Sequence, residues 1–137
     1  MRRIAFLFVL LLSSAAHAAA FKVIVNGSVR SESLPKKVVS DLFLKKAQKW
    51  PNGAPAVPVD QVESSASRDP FSRSVHGKPA AAIKSYWTQQ IFAGREVPPV
   101  EKKTDDEVVA FVKSTPGAIG YVSDSANVDG VRVLTLE

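Results

Sequence analysis

The stretch TDDEVVAFVKSTPGAIGYV, residues 104–122, contains a helix, its stop and a strand in one uninterrupted run. Thr104 followed by Glu107 forms a capping box, in which each side chain can satisfy a backbone N–H that the first helical turn leaves free. Asp105, Asp106 and Glu107 place negative charge at the positive end of the helix dipole. Val108, Val109, Phe111 and Val112 supply the apolar face. Thr115-Pro116-Gly117 then breaks the helix, and Ala118 to Val122 is a short apolar run that reads as a buried strand. A capped helix delivered by a tight turn into a buried strand is the unit from which α/β domains are built.

The same alternation continues on both sides. Val131 to Leu136 alternates as a last strand, and Glu96 to Lys103, with Pro98-Pro99, reads as an extended connector. Before it, Ile83, Tyr86, Trp87, Gln90 and Ile91 recur at three and four from a start at Pro79 to a stop at Gly94. A shorter helix from Asp69 to Val75 closes at His76-Gly77. The polar run Gln61 to Ser67 separates that helix from a strand over Ala56 to Asp60, where Pro58 predicts an edge or an end position. Trp50-Pro51-Asn52-Gly53 is a turn. Leu34, Val38, Val39, Leu42 and Phe43 share one face of a helix expected to be capped by Ser33, to hold Pro35 in its first turn and to end near Lys46. Phe21 to Val29 reads as the first strand, with Val23 and Val25 on its apolar side. The expectation is an α/β domain with a mixed sheet flanked by helices.

Arg2 and Arg3, the apolar run Ile4 to Leu12 and the small residues Ser13 to Ala20 follow the order of a cleavable signal peptide, with Ala16-His17-Ala18 as the cut. The run is well short of the roughly 20 residues that span a bilayer, so no stable membrane anchor is expected. Residues 1–18 are read as the signal and 19–137 as one domain exported to the periplasm. Outside Arg2 and Arg3 the chain has 16 basic and 13 acidic residues. The basic ones are scattered, which excludes nucleic acid as an expected partner. With no Cys, neither disulfides nor a thiolate metal site is available.

Two stretches together carry a family resemblance: LFLKK at residues 42–46 with Trp50 and VPV at 57–59, and STPGAIGYV at 114–122. They resemble one lobe of the type II periplasmic phosphate-binding proteins, the substrate-binding components of phosphate ABC transporters. The resemblance covers roughly Val23 to Val122. It implies that the loop after the second strand binds an oxyanion through hydroxyls and backbone N–H groups at a helix start, without a metal or cofactor. Carried over by position, Gln61 stands for the family's arginine and Glu63 for its acid. Ser64 replaces a glycine, Ser65 matches a serine, Ala66 replaces the second glycine and Ser67 takes the threonine position. Arg68, one residue on, is placed to supply the missing charge. The candidate anion site is therefore Gln61, Glu63, Ser64, Ser65, Ser67 and Arg68. A chain of this length supplies one lobe of a two-lobed receptor, so phosphate binding is expected to be weak. A homodimer mate, a transporter or another envelope protein is the expected macromolecular partner.

Two other readings of these residues stand beside that one. Ser65 or Ser67 would cap a helix with Arg68 as a solvated charge, and the lobe would then serve as a protein-interaction module that has lost its ligand. Trp50, Tyr86 and Trp87 are read as core rather than as a stacking platform. His76, the single His beyond the signal, reads as a surface or helix-end residue. It is at least eight residues from the loop serines and no nucleophile elbow is present, so no enzymatic activity is expected.

Overall fold

The computed structural model describes residues 20–137. The signal peptide and its cleavage site fall outside the described residues. The elements are β1 (Phe21–Val25), β2 (Ser33–Leu34), α1 (Lys36–Phe43), β3 (Val57–Gln61) and α2 (Arg68–Phe71), which runs into a π-helical turn, Ser72–His76. They continue with α3 (Ala80–Phe92), β4 (Val100–Lys102), α4 (Asp105–Ser114), β5 (Ala118–Ser123) and β6 (Arg132–Leu136). The strands form one mixed sheet in the order β2-β6-β1-β5-β3-β4. β1 is antiparallel to β5 and β6, whereas β3 is parallel to both β5 and β4.

Helices cover both faces. On one, Val108 and Val112 of α4 pack on Ile24, Val59, Ala118 and Val122. On the other, Val39, Leu42 and Phe43 of α1 join Phe71 and Val75 over Val23, Val25, Ile119, Tyr121 and Leu134. Phe71 stacks on Tyr121 with ring centroids 3.9 Å apart and meets Phe43 edge-on at 4.8 Å. The first strand is thus buried on both sides, Ile24 as completely as Val23 and Val25. The alternation expected there, with only Val23 and Val25 buried, is corrected, because α4 covers the face that carries Ile24. Gly120 lets α4 lie close: a Cβ there would be 2.8 Å from both Val108 Cγ1 and Val59 Cγ1.

The Thr104 cap is formed as read, its Oγ1 accepting from the Glu107 amide at 3.2 Å, but Glu107 reaches one residue past the expected Thr104 amide and accepts from the Lys103 amide at 3.0 Å. Three other local expectations are corrected. Ser33 does not cap α1; Ser33 and Leu34 form β2, paired in parallel with Thr135 and Leu136, and Pro35 stands at the helix start. The helix ends at Phe43 rather than Lys46, because Lys45 turns the chain with φ 55°. The connector over 96–103 contains β4, the sheet edge beside β3. Pro58 is consequently at the end of an interior strand: the β4 ladder starts at Val59, one residue past the missing N–H.

Candidate functional site

In open α/β sheets, ligands sit outside the carboxyl ends of parallel strands, where loops lead into helices. β3 is flanked by parallel neighbours, and at its carboxyl end the chain passes through residues 62–67 into α2. The candidate loop is therefore where this architecture places binding residues.

The loop's polar groups are largely engaged with one another. Gln61, 1% exposed, donates from Nε2 to the Tyr121 carbonyl at 2.7 Å and to Asp105 Oδ1 at 3.1 Å, and its Oε1 accepts from the Ser65 hydroxyl. Arg68, 6% exposed, turns back under the loop. Its guanidinium donates to the Gln61 carbonyl, lies 3.2 Å from Asp60 Oδ1 and 3.7 Å from Glu101 Oε1. Asp60 also accepts from the Tyr121 hydroxyl and, at 2.9 Å, from the Gln61 amide. The amides of Ser65 and Arg68 close turns onto Val62 and Ser65, and the Ser67 amide points at Ser65 Oγ, 3.4 Å away.

Burial shapes the titration of this cluster. Removal from water pushes Asp60 above the usual carboxylate range, outweighing the opposing pull of Arg68, the Tyr121 hydroxyl and the Gln61 amide. Burial first, and the adjacent Asp60 second, push the Tyr121 hydroxyl up, so that it stays a donor.

Of the six candidate residues, Gln61, Ser65 and Arg68 are brought into one network, and Ser67 is buried beside it. Ser64 and Glu63 are exposed; Glu63 pairs with Lys84 of α3 at 3.3 Å. Gln61, set against an arginine by the resemblance, anchors the loop without charge. Beside the loop, between α3 and β4, lies a cavity of about 350 Å³ whose wall includes Glu63, Arg68, Lys84, Trp87 and Glu101.

Sequence reasoning missed Asp60, Tyr121 and Glu101, the groups that hold Arg68 and its partner. It credited Asp105 to the helix dipole alone, whereas that carboxylate also accepts from Gln61 and from the Ser123 hydroxyl at 2.6 Å. The available signal was an acid ending an apolar strand, Asp60 after Val57-Pro58-Val59. A carboxylate at such a position is buried, and a buried carboxylate requires a cation.

His76 stands at the helix end, one of the two readings given for it, with Gly77 closing the turn at φ 68°, but it is half-buried rather than on the surface. Its Nδ1 lies 2.7 Å from Ser40 Oγ of α1, and the ring meets Phe71 edge-on at 5.5 Å. Burial, with Arg68, Lys46 and Lys78 nearby, lowers the His76 pKa from 6.5 to about 4. Between those values the unfolded chain holds the extra proton. The contribution is therefore fully present above pH 6.5 and is lost as pH falls toward 4, by up to about 3 kcal/mol. Urea denaturation across that window should show a shallower pH slope for His76→Asn than for the parent. Equal slopes would contradict the assignment.

No family model matches the chain, and no curated protein matches it. Solved structures do. A phosphate ABC transporter substrate-binding protein from Clostridium perfringens, with bound phosphate, superposes with TM-score 0.66 at 21% identity over 85% of this chain and 44% of its own. An ABC-type phosphate transport receptor from Vibrio cholerae gives TM-score 0.65 at 14% identity over 85% and 45%. PstS from Borrelia burgdorferi gives 0.62 at 18% over 86% and 47%. This chain spans less than half the length of each of these proteins. At such identities the likeness establishes the fold: an α/β mixed sheet flanked by helices, like part of a periplasmic binding protein.

Proposed function

We propose that this chain is an exported, non-enzymatic binding lobe that recognises phosphate or a related oxyanion at the carboxyl end of β3. The observation that carries the reading is the position of the 62–67 loop and Arg68 at the end of a strand with parallel neighbours, in a fold shared with phosphate-binding proteins. The electrostatics set the strength. Arg68 comes already paired with Asp60, so an incoming anion gains little net charge from it. Affinity on the order of 1 mM, about 4 kcal/mol, is the expected scale.

Isothermal titration of the purified chain with inorganic phosphate and sulfate at low ionic strength tests this. Binding in the millimolar range should weaken at least about fivefold in Ser67→Ala, with its circular dichroism unchanged. No heat at about 10 mM phosphate would overturn the reading. Arg68→Ala is a poor probe, because it also strands Asp60 in the interior.

One observation favours the interaction-module reading. Phe92 is 94% exposed at the end of α3, with Ile91, Val97 and Val100 also exposed nearby in sequence. Large apolar side chains left exposed there offer contact points to a protein partner. A measured mass showing a dimer at micromolar concentration, lost in Phe92→Asp, would move the assignment to that class.

A further inference from the structure

The 350 Å³ cavity beside the loop is larger than an inorganic oxyanion needs. It would hold roughly a dozen waters at about 30 Å³ each, and it falls within the range of small-molecule sites. Its charged groups come from four separate elements: Glu63 from the loop, Arg68 from α2, Lys84 from α3 and Glu101 from β4. Two cations therefore face two carboxylates, in loose pairs of 3.3 Å for Lys84 with Glu63 and 3.7 Å for Arg68 with Glu101. Asp60, behind Arg68, already engages that guanidinium at 3.2 Å. A phosphate dianion entering this lining would bring charge that nothing there balances. A ligand that carries both signs would not.

The wall also carries an aromatic side chain. Trp87 is 5% exposed and lines the cavity, and its indole Nε1 is buried without a hydrogen-bond partner, the one such side-chain atom among the described residues. Buried donors are nearly always paired, so the indole N–H leaves a polar group to be satisfied beside the cavity wall. Ile91 and Pro98 complete the wall with apolar surface.

We infer that this cavity binds a small organic zwitterion, an oxyanion and an ammonium group joined by a short hydrocarbon segment, in preference to inorganic phosphate. Resting on the binding-lobe reading above, the inference narrows its ligand. The oxyanion lies toward Arg68 and Lys84, beside the Trp87 ring. The ammonium lies toward Glu63 and Glu101, and the hydrocarbon runs along Ile91 and Pro98. The exposed Lys84–Glu63 pair contributes little to stability, so it opens readily to admit the ligand.

The test is isothermal titration of the purified chain with five probes: 2-aminoethylphosphonate, β-alanine, ethylphosphonate, ethylammonium and inorganic phosphate. At least one zwitterion should bind about tenfold or more tighter than the three probes of single charge type. The phosphonate and carboxylate arms tell which oxyanion the site takes. Glu101→Gln should reduce the preference for the better zwitterion over its single-charge analogue to below about threefold, while ethylphosphonate binding persists. Phosphate binding as tightly as the zwitterions would overturn the inference and leave the oxyanion reading standing. A zwitterion preference that survives Glu101→Gln would overturn it too. Silence from all five probes would overturn both.

Discussion

Asp60→Ala should destabilise the chain by about 3 kcal/mol in urea denaturation, the lower end of the 3–5 kcal/mol typical when one partner of a buried ion pair is removed. The cost arises because Arg68, 6% exposed, would keep its charge in the interior, the Tyr121 hydroxyl would lose its acceptor, and the Gln61 amide would keep only its 3.3 Å bond to the Tyr121 oxygen. It stays at the lower end because Glu101, 3.7 Å away, still offers Arg68 a partial counter-charge. The converse change is milder. In Arg68→Met the stranded group is a carboxyl that burial already pushes toward its neutral form, so it can escape the penalty by taking up a proton. That variant should lose about 1–2 kcal/mol at neutral pH and regain stability as pH falls. The sign follows from linkage: a raised native carboxyl pKa contributes stability below the unfolded value that is lost as pH rises through the native one. The double variant should cost less than the sum of the singles by about 1–3 kcal/mol. A loss below about 1 kcal/mol for Asp60→Ala would mean that the pair is not buried as described.

Gly117→Ala should be at least as damaging, about 4 kcal/mol, for a reason confined to the backbone. Gly117 has φ 77°, and a Cβ on it would be 2.3 Å from the Pro55 carbonyl oxygen. The left-handed conformation alone costs a non-glycine residue about 1–2 kcal/mol. The rest comes from forcing apart segments that meet at this residue. Its amide donates to Ser28 Oγ at 3.0 Å, and its carbonyl accepts from Trp50 Nε1 at 2.9 Å and from the Val57 amide at 3.0 Å. One residue thus ties the loop after β1, the Trp50 turn and the start of β3 to β5. Gly53→Ala is the control: its φ is 87° but nothing lies within 4 Å of a Cβ there, so the loss should be near 1 kcal/mol. Equal losses at the two glycines in urea denaturation would show that the Pro55 contact does not matter.

Much of the fold was legible because the signals for it are local. The Thr104 to Glu107 box, the break at Thr115-Pro116-Gly117, the Gly77 stop and the apolar runs of β1 and β5 each depend on residues within a few positions of one another. They yielded the α/β class and most element positions. Ser33 shows the limit of such signals: its cap was plausible locally, but its strand partner, Thr135, lies at the other end of the chain.

The candidate site divides in the same way. By itself the sequence determined which segment would form the loop at the end of β3 and which polar residues it would bring there, since spacing and turn chemistry govern both. Only the tertiary structure decided what those residues face. Arg68 points inward because β3 places Asp60 and β4 places Glu101 around it, and a buried guanidinium must meet carboxylates wherever the fold supplies them. Ser40 and His76, 36 positions apart, meet for the same reason: α1 packs against the π-helical turn. Charge neutralisation and burial depend on distances between elements far apart in the chain, and those distances exist only once the sheet has set its strand order.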